Sequence, residues 1–332
     1  MDASRLNSKF EGCLLGSMLG DILGAAVEGE SSGYIRKTFR SLDDFLSLDL
    51  IDEPLGGTWK FGRYTDDTQM TLAVAEWILE GSTADGKDLL RRFSEAYDPQ
   101  RRYGPGTRYI LELFKSHPDQ WASLATAMFP TGSYGNGSAM RVAPVGLRFH
   151  RDFPALLEAA RVSSRVTHSH PLALQGAALQ ATAIALATRC EASFHSIPFL
   201  KSLGATLGHF EQRGQDTSRF RDKLRMIEEA LAAPSATRTA LVTNLGCGIE
   251  VTESLPLALY SFLSHPDSFE QALEAAIFQG GDTDTIAAMT GAIAGALLGV
   301  EALPERWVAR IDEADYPPSR IREIARGLVR LS

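Results

Sequence analysis

Glycine recurs at every fourth position in two distant segments of this chain, at Gly12, Gly16, Gly20 and Gly24 and again at Gly291, Gly295 and Gly299. Both segments otherwise read as apolar helices, from about Ser8 to Val27 and from Ile286 to Leu298. A glycine inside a helix costs roughly 1 kcal/mol against alanine, so a repeated one needs a compensating contact. A spacing of four sets these glycines on one slowly drifting ridge, and the missing side chains let a second backbone approach. The pattern predicts that the two helices pack together near the centre of the molecule. Asp21 would then lie close to whatever occupies the end of that seam.

What occupies it is acidic. Gly280-Gly281-Asp282-Thr283-Asp284-Thr285-Ile286 opens the second glycine helix, and Thr65-Asp66-Asp67-Thr68 opens a segment with Met70, Val74, Trp77 and Ile78 at helical spacing. Carboxylates this close repel unless water, a cation or a helix N-terminus absorbs the field. Two readings follow. Each cluster is an N-cap with extra acid complementing a helix dipole, Thr65 or Asp66 capping the first, or the two clusters face each other across a metal. Either cluster alone reads as an acidic cap. The pair, one on each side of a glycine seam, points to the metal. Asp and Thr oxygens are hard donors suited to Mg²⁺ or Mn²⁺ rather than zinc, and a carboxylate-rich site for two cations can activate water or orient sugar hydroxyls.

Helical periodicity continues through Leu89 to Tyr97, Thr107 to Lys115, Trp121 to Met128, Ala139 to Leu147, Pro154 to Arg165, Pro171 to Thr188, Ile197 to Phe210, Ser218 to Ala232, Thr237 to Leu245, Glu250 to Leu263, Phe269 to Phe278 and Pro317 to Leu331. Pro144 demands a kink or a break in the fourth of these. Gly29 to Phe61 is polar and poorly periodic, and glycine-rich loops are expected at Gly29 to Gly33, Gly56 to Gly62, Gly132 to Gly137 and Gly214 to Ser218. No strand alternation exceeds a few residues and no fixed repeat is present. The expectation is an all-α protein with residues 1–332 in a single domain.

A net charge of −8 gives no field to hold a nucleic-acid backbone, so no stable nucleic-acid binding is expected. Three cysteines, Cys13, Cys190 and Cys247, fit neither a disulfide framework nor a cysteine zinc site, which suggests a reducing compartment. The polar start up to Glu11 lacks the order of a signal peptide. Cys13 to Val27 and Ile286 to Val300 are shorter than a membrane span. A cytoplasmic monomer with no membrane segment is expected.

Gly132 to Ser138 places small residues and free N–H groups ahead of a helix, an arrangement that can cradle a diphosphate. Tyr134 within it suits base stacking or burial. Tyr103-Gly104-Pro105-Gly106 is either a second anion turn or a plain tight turn. Of the seven histidines only His168 and His170 lie in a suggestive setting, between two helices, where a hydrogen-bonding role is favoured over a catalytic one. Cys247, between two glycines, reads as a small buried residue rather than a nucleophile.

Gly16-Ser17-Met18-Leu19-Gly20-Asp21, Tyr64-Thr65-Asp66-Asp67-Thr68, Gly135-Asn136-Gly137-Ser138-Ala139-Met140-Arg141 and Gly280-Gly281-Asp282-Thr283-Asp284-Thr285 together resemble the ordered signature of the ADP-ribosylglycohydrolase family. The resemblance spans nearly the whole chain. Ser133-Tyr134-Gly135-Asn136-Gly137, Tyr103-Gly104-Pro105-Gly106, and Gly246-Cys247-Gly248-Ile249 through Glu253-Ser254-Leu255-Pro256 are closer to one branch of it. That branch removes serine-linked ADP-ribose, cleaves poly(ADP-ribose) and hydrolyses O-acetyl-ADP-ribose; the arginine-specific dinitrogenase-reductase-activating branch is less similar. The resemblance implies a compact orthogonal multi-helix fold and a binuclear Mg²⁺ or Mn²⁺ site formed by Thr65, Asp66, Asp67, Asp282, Asp284 and Thr285, holding the 2″ and 3″ hydroxyls of the distal ribose. Ser133, Tyr134 and Gly135 would hold the diphosphate and adenosine, with Gly104, Asn136 and His168 lining the ribose and phosphates. A loop glutamate near the metals maps to Glu28, with Glu30 as a rival, so that Glu28, Asp66, Asp67 and Asp284 are the expected catalytic groups. The family's adenine-stacking aromatic has no exact counterpart, Phe129 standing one residue off. The substrate implied is an ADP-ribosylated protein or an ADP-ribose derivative. An arginine-specific hydrolase and a non-catalytic ADP-ribose-binding protein are the alternatives.

Overall fold

The computed structural model describes residues 2–52, 58–81, 83–191, 193–312 and 317–332. Among them the regular structure is almost wholly helical, as the periodicity predicts. In order the helices are α1 (Ala3–Gly24), α2 (Ser32–Thr38), α3 (Asp66–Leu79), α4 (Gly86–Ala96), α5 (Pro105–Ser116), α6 (Trp121–Leu124), α7 (Ala143–Arg148), α8 (Phe153–Arg165), α9 (Pro171–Arg189), α10 (Ser196–Glu211), α11 (Ser218–Ala232), α12 (Ser235–Thr243), α13 (Val251–Ser264), α14 (Phe269–Ile277), α15 (Thr283–Leu298), α16 (Glu305–Val308) and α17 (Pro318–Leu331). Among the described residues the strands are β1 (Leu50–Asp52) and β2 (Thr58–Lys60), a short antiparallel ribbon with Ile51 opposite Trp59. The loop expected from Gly56 to Gly62 lies partly outside the described residues, and its described part is largely β2.

The boundaries have local causes. The first helix starts before Ser8 because the Asp2 side chain accepts a hydrogen bond from the Arg5 N–H at 2.8 Å. The conflict at Pro144 is resolved by a break: Asn136–Ser138 forms a 3₁₀ turn, and α7 begins at Ala143 with the proline in its first turn, where no N–H is missed. Helix α6 is much shorter than the Trp121 to Met128 pattern. Helix α2, by contrast, arises inside the stretch read as irregular, nucleated by the Ser31 hydroxyl accepting from the Tyr34 N–H.

Helices α1 and α15 run antiparallel, backbone against backbone. A Cβ added at Gly12 would stand 2.7 Å from the Gly295 carbonyl oxygen, one at Gly16 2.5 Å from that of Gly291, and one at Gly24 2.5 Å from the Asp284 Cα. No real side chain tolerates these distances. Phe10, Leu14, Leu15, Met18, Ile286, Met289 and Ile293, all buried, line the flanks of the seam. Helices α9, α13, α14 and α17 pack around the pair. By length and composition α9 is apolar enough to cross a membrane, yet 78% of its apolar window is buried within the fold. Its C-terminal carbonyls, at Ala187, Thr188 and Cys190, accept from the buried Lys9 ammonium at 2.7 to 3.1 Å, which satisfies groups the helix leaves open.

The seam predicts opposite outcomes for one substitution at two helical glycines. Gly16→Ala must push two backbones apart and is expected to lose roughly 3 kcal/mol, the upper end for overpacking a tight core. Gly208→Ala in α10, where a Cβ meets nothing within 4 Å, is expected to gain roughly 0.5–1 kcal/mol. Urea denaturation of both variants checks this, and equal stabilities would contradict the seam.

Candidate active site

Because α1 and α15 are antiparallel, the end of the first lies beside the start of the second. The Thr283 hydroxyl donates to the Gly24 carbonyl at 2.8 Å. Just beyond, the Gly29 N–H donates to Gly281 O at 2.8 Å and the Gly281 N–H to Glu30 O at 3.0 Å. Gly280 and Gly281 both adopt left-handed backbone, at φ 76° and 78°, which admits this turn and lets Gly281 pass beside Cys247. The Asp282 N–H donates to Cys247 O at 2.8 Å, the Asn136 N–H to Ile249 O at 3.0 Å, and the Val251 N–H to Tyr134 O at 3.1 Å. Four loops far apart in sequence are thus stitched edge to edge.

The acidic residues converge there. Asp21, one turn from the end of α1, accepts from the Thr65 and Thr68 N–H groups at 3.0 Å and from the Thr68 hydroxyl at 2.6 Å, so it caps α3 from outside. Thr65, at the N-cap position, accepts from the Asp67 N–H at 3.3 Å. The Thr285 hydroxyl donates to Asp67 Oδ2 at 3.2 Å, which joins the two clusters across the seam. Oxygens of Glu28, Asp282 and Asp284 lie within 4.8 Å of one another. Glu30 is exposed and outside this group, so of the two loop glutamates Glu28 is the one at the cluster. Its Oε2 accepts from Arg102 at 3.0 Å; the same guanidinium donates to Ala25 O at 2.9 Å and lies over the Trp59 ring.

Burial first, and mutual repulsion second, push the carboxyls of Asp66, Asp67 and Asp284 well above the usual range. Burial raises Asp21 and Asp282 to about 6, hydrogen bonds opposing the rise. Two details go beyond what a pair of acidic caps requires. Asp282 stands at the N-cap of α15 without making a side-chain capping bond, its carboxylate accepting instead from the Asn136 amide. Asp67 Oδ1 is buried with no hydrogen-bond partner among the described residues, a costly state for a carboxylate oxygen. Hard oxygen donors, excess negative charge and an orphaned oxygen are what a divalent cation fits.

The neighbouring loop also holds the residues expected for a ligand. The Ser133 hydroxyl accepts from the Gly135 N–H at 3.2 Å. Tyr134 is 43% exposed, which excludes the buried alternative, and packs edge-on against His170 at 5.4 Å between ring centroids. Asn136 bridges Asp282 and the Ser254 hydroxyl, linking the loop to the acidic cluster. His168 is buried beneath Gly135 and Gly137. Gly104 starts α5 with no capping side chain and open space where a Cβ would be. Phe129, 45% exposed, lies against Gly106 at the same turn. Cys247 is half-buried rather than a core residue, and burial raises its thiol, which disfavours a nucleophile. Arg102 carries no motif signal of its own; Glu253, within the Gly246–Pro256 motif, accepts at Oε2 from the Gly248 N–H at 3.0 Å and holds the Gly246–Gly248 turn.

A family model described as ADP-ribosylglycohydrolase matches residues 2–332. The chain belongs to this family. As an ADP-ribosylglycohydrolase it is a glycosyl hydrolase. It is similar to the ADP-ribosylhydrolase ARH3 of Bos taurus, at 36% identity over 92% of this chain and 89% of that protein, and equally to the Homo sapiens protein of the same name. An uncharacterised protein of Archaeoglobus fulgidus is 31% identical over 98% of this chain and 97% of its own length. Among solved structures, an ADP-ribosylglycohydrolase-related protein complex matches with a TM-score of 0.72 at 27% identity, covering 99% of each chain.

The buried carboxylates of this ADP-ribosylglycohydrolase make its stability depend on pH. Asp21 and Asp282 titrate near 6 when folded and at about 3.9 when unfolded. Between these values the folded chain retains protons that the unfolded chain has lost, so their contribution to stability falls as pH rises through this window. A cation compensates the charge only where it exists. Adding Mg²⁺ to chelator-treated protein is therefore expected to raise Tm more at pH 7.5 than at pH 5, measured by differential scanning fluorimetry; equal shifts would contradict the site.

Proposed function

We propose that this chain is a divalent-cation-dependent hydrolase that cleaves the bond between C1″ of ADP-ribose and an acceptor oxygen, on serine, an acetyl group or a second ADP-ribose unit, and so reverses ADP-ribosylation. The observation that carries the reading is the convergence of Glu28, Asp282 and Asp284 within 4.8 Å, together with an Asp67 oxygen that no group among the described residues satisfies. Thr65, Asp66 and Asp67 on one side and Asp282, Asp284 and Thr285 on the other would hold two Mg²⁺ or Mn²⁺ ions. Such ions supply compensating charge and Lewis acidity toward ribose hydroxyls and water.

The chain's own residues account for the rest. Gly104, Ser133, Tyr134, Gly135, Asn136 and His168 offer N–H groups, side-chain donors and an aromatic face to the diphosphate and adenosine, which fixes C1″ near the carboxylates. Cleavage develops oxocarbenium character at that carbon, and a preorganised field of buried carboxylates stabilises it without rearrangement. Glu28, partly exposed and oriented by Arg102, would take a proton from water or return one to the leaving oxygen. The similarity to ARH3 proteins supports an oxygen-linked acceptor. The chain works as one unit, as a monomer in a reducing, cytoplasmic setting.

Asp284→Asn is expected to lower kcat/KM for serine-linked ADP-ribose release by at least about a hundredfold, and chelation to abolish it reversibly. Unchanged release after both would end the metal mechanism. Glu28→Gln is expected to lower kcat by about 10²–10⁴ and Glu30→Gln to leave it near wild type; the reverse would exchange their roles. Offering serine-linked and arginine-linked ADP-ribose side by side tests the acceptor: preference for arginine selects the other branch, and binding without turnover of either selects the non-catalytic alternative.

A further inference from the structure

We infer that Arg141 and Thr167 are positioning residues that hold His168 as the neutral tautomer protonated on Nε2, with that N–H turned toward the Gly135–Gly137 loop of the ligand cleft. Arg141 is wholly buried. Its guanidinium lies 4.5 Å over the Phe93 ring and donates from one nitrogen to Ser163 O at 2.7 Å and to Thr167 Oγ1 at 2.8 Å. Thr167 Oγ1 is in turn 2.8 Å from His168 Nδ1. A guanidinium has five donors and no acceptor, so it can only give a hydrogen to the threonine oxygen. The threonine oxygen keeps a second lone pair, but its own hydrogen, buried at 1% exposure, needs an acceptor, and among the described hydrogen bonds of this hydroxyl His168 Nδ1 is the partner that can accept it. That nitrogen is an acceptor, and the imidazole proton is therefore on Nε2.

The environment keeps the ring in this state. Burial, and then the Arg141 charge, lower the His168 pKa to about 3, so the ring stays neutral. Its backbone is fixed at the end of α8, where its N–H donates to Ser164 O at 2.7 Å and its carbonyl accepts from the Ser164 hydroxyl at 2.8 Å. The Nε2 and Cε1 edge lies against the loop: a Cβ at Gly137 would come within 2.6 Å of Cε1 and 2.9 Å of Nε2, and one at Gly135 within 3.5 Å of Nε2. Glycine at both positions puts no side chain of the loop against that edge. The result is a fixed neutral donor beneath the cradle, suited to a phosphate or ribose oxygen. The other tautomer would turn a lone pair toward an anion and leave the buried hydroxyl hydrogen of Thr167 without an acceptor. The ligand, though not the relay, rests on the functional reading above.

The test is ¹⁵N NMR of the His168 imidazole in the intact chain, with ADP-ribose affinity by calorimetry. Wild type and Thr167→Ser are expected to show a proton-bearing Nε2 and a lone-pair Nδ1. Thr167→Val, which keeps the shape and removes the hydroxyl, is expected to lose that pattern and weaken ADP-ribose binding about tenfold, with Thr167→Ser restoring it. A proton on Nδ1 in the wild type overturns the relay and needs no variant. Thr167→Val retaining both the pattern and the affinity overturns it as well. If wild type shows the Nε2 tautomer but binds no ADP-ribose, the relay stands and the functional reading fails.

Discussion

The contact on which the rest depends is the one between the backbones of α1 and α15. Side chains ordinarily hold packed helices 8–10 Å apart, and four of the seven glycines in the two ridges are in α1, each facing main-chain atoms of α15. The consequence appears at the end of the pair rather than along it. With Gly24 against Asp284, the loop after α1 is close enough to bond the turn before α15, and Glu28 reaches Asp282 and Asp284. A wider seam would break those backbone hydrogen bonds before it exposed any core residue. Asp21 extends the same logic to a third element, since its carboxylate in α1 fixes the start of α3 and hence Asp66 and Asp67.

Electrostatics oppose this assembly. Asp21, Asp66, Asp67, Asp282 and Asp284 are all buried, and their repulsion is answered only in part within the protein. The N-termini of α3 and α15 direct partial positive charge at the cluster. Arg102 pairs with Glu28 at its edge, and the buried Arg141 adds a cation on the side of Asp66. The orphaned Asp67 oxygen shows what is left over. Buried strain of this kind collects at functional sites, where a stable rearrangement would remove the chemistry. Arg102 fits the pattern: it is the non-glycine residue with positive φ among the described residues, at 60°.

Much of this was legible in the sequence because the decisive signals are local. The every-fourth glycine spacing and the Asp-Asp and Asp-Thr-Asp clusters each occupy a few consecutive turns, and each predicts a partner without naming it. What stayed hidden depends on contacts across long separations. Glu28 and Glu30 stand in the same loop, and only the pairing of Gly29 and Glu30 with Gly281 decides which one turns inward. Arg102 meets Glu28 across 74 positions, with no motif to announce it. Helix α2 has too few residues to display a period. Pro144 required a break but could not say where the helix would resume. Tyr134 was equally compatible with burial and exposure until its loop was bound to Val251.

In the proposed function the glycine seam brings two acidic half-sites together around a pair of cations. Electron paramagnetic resonance of the chain titrated with Mn²⁺ tests it most directly, because two ions a few ångströms apart couple magnetically and isolated ions do not. Saturation at two ions per chain with the broadened spectrum of a coupled pair is expected. A single isolated six-line signal at saturation, or no binding at all, would contradict it.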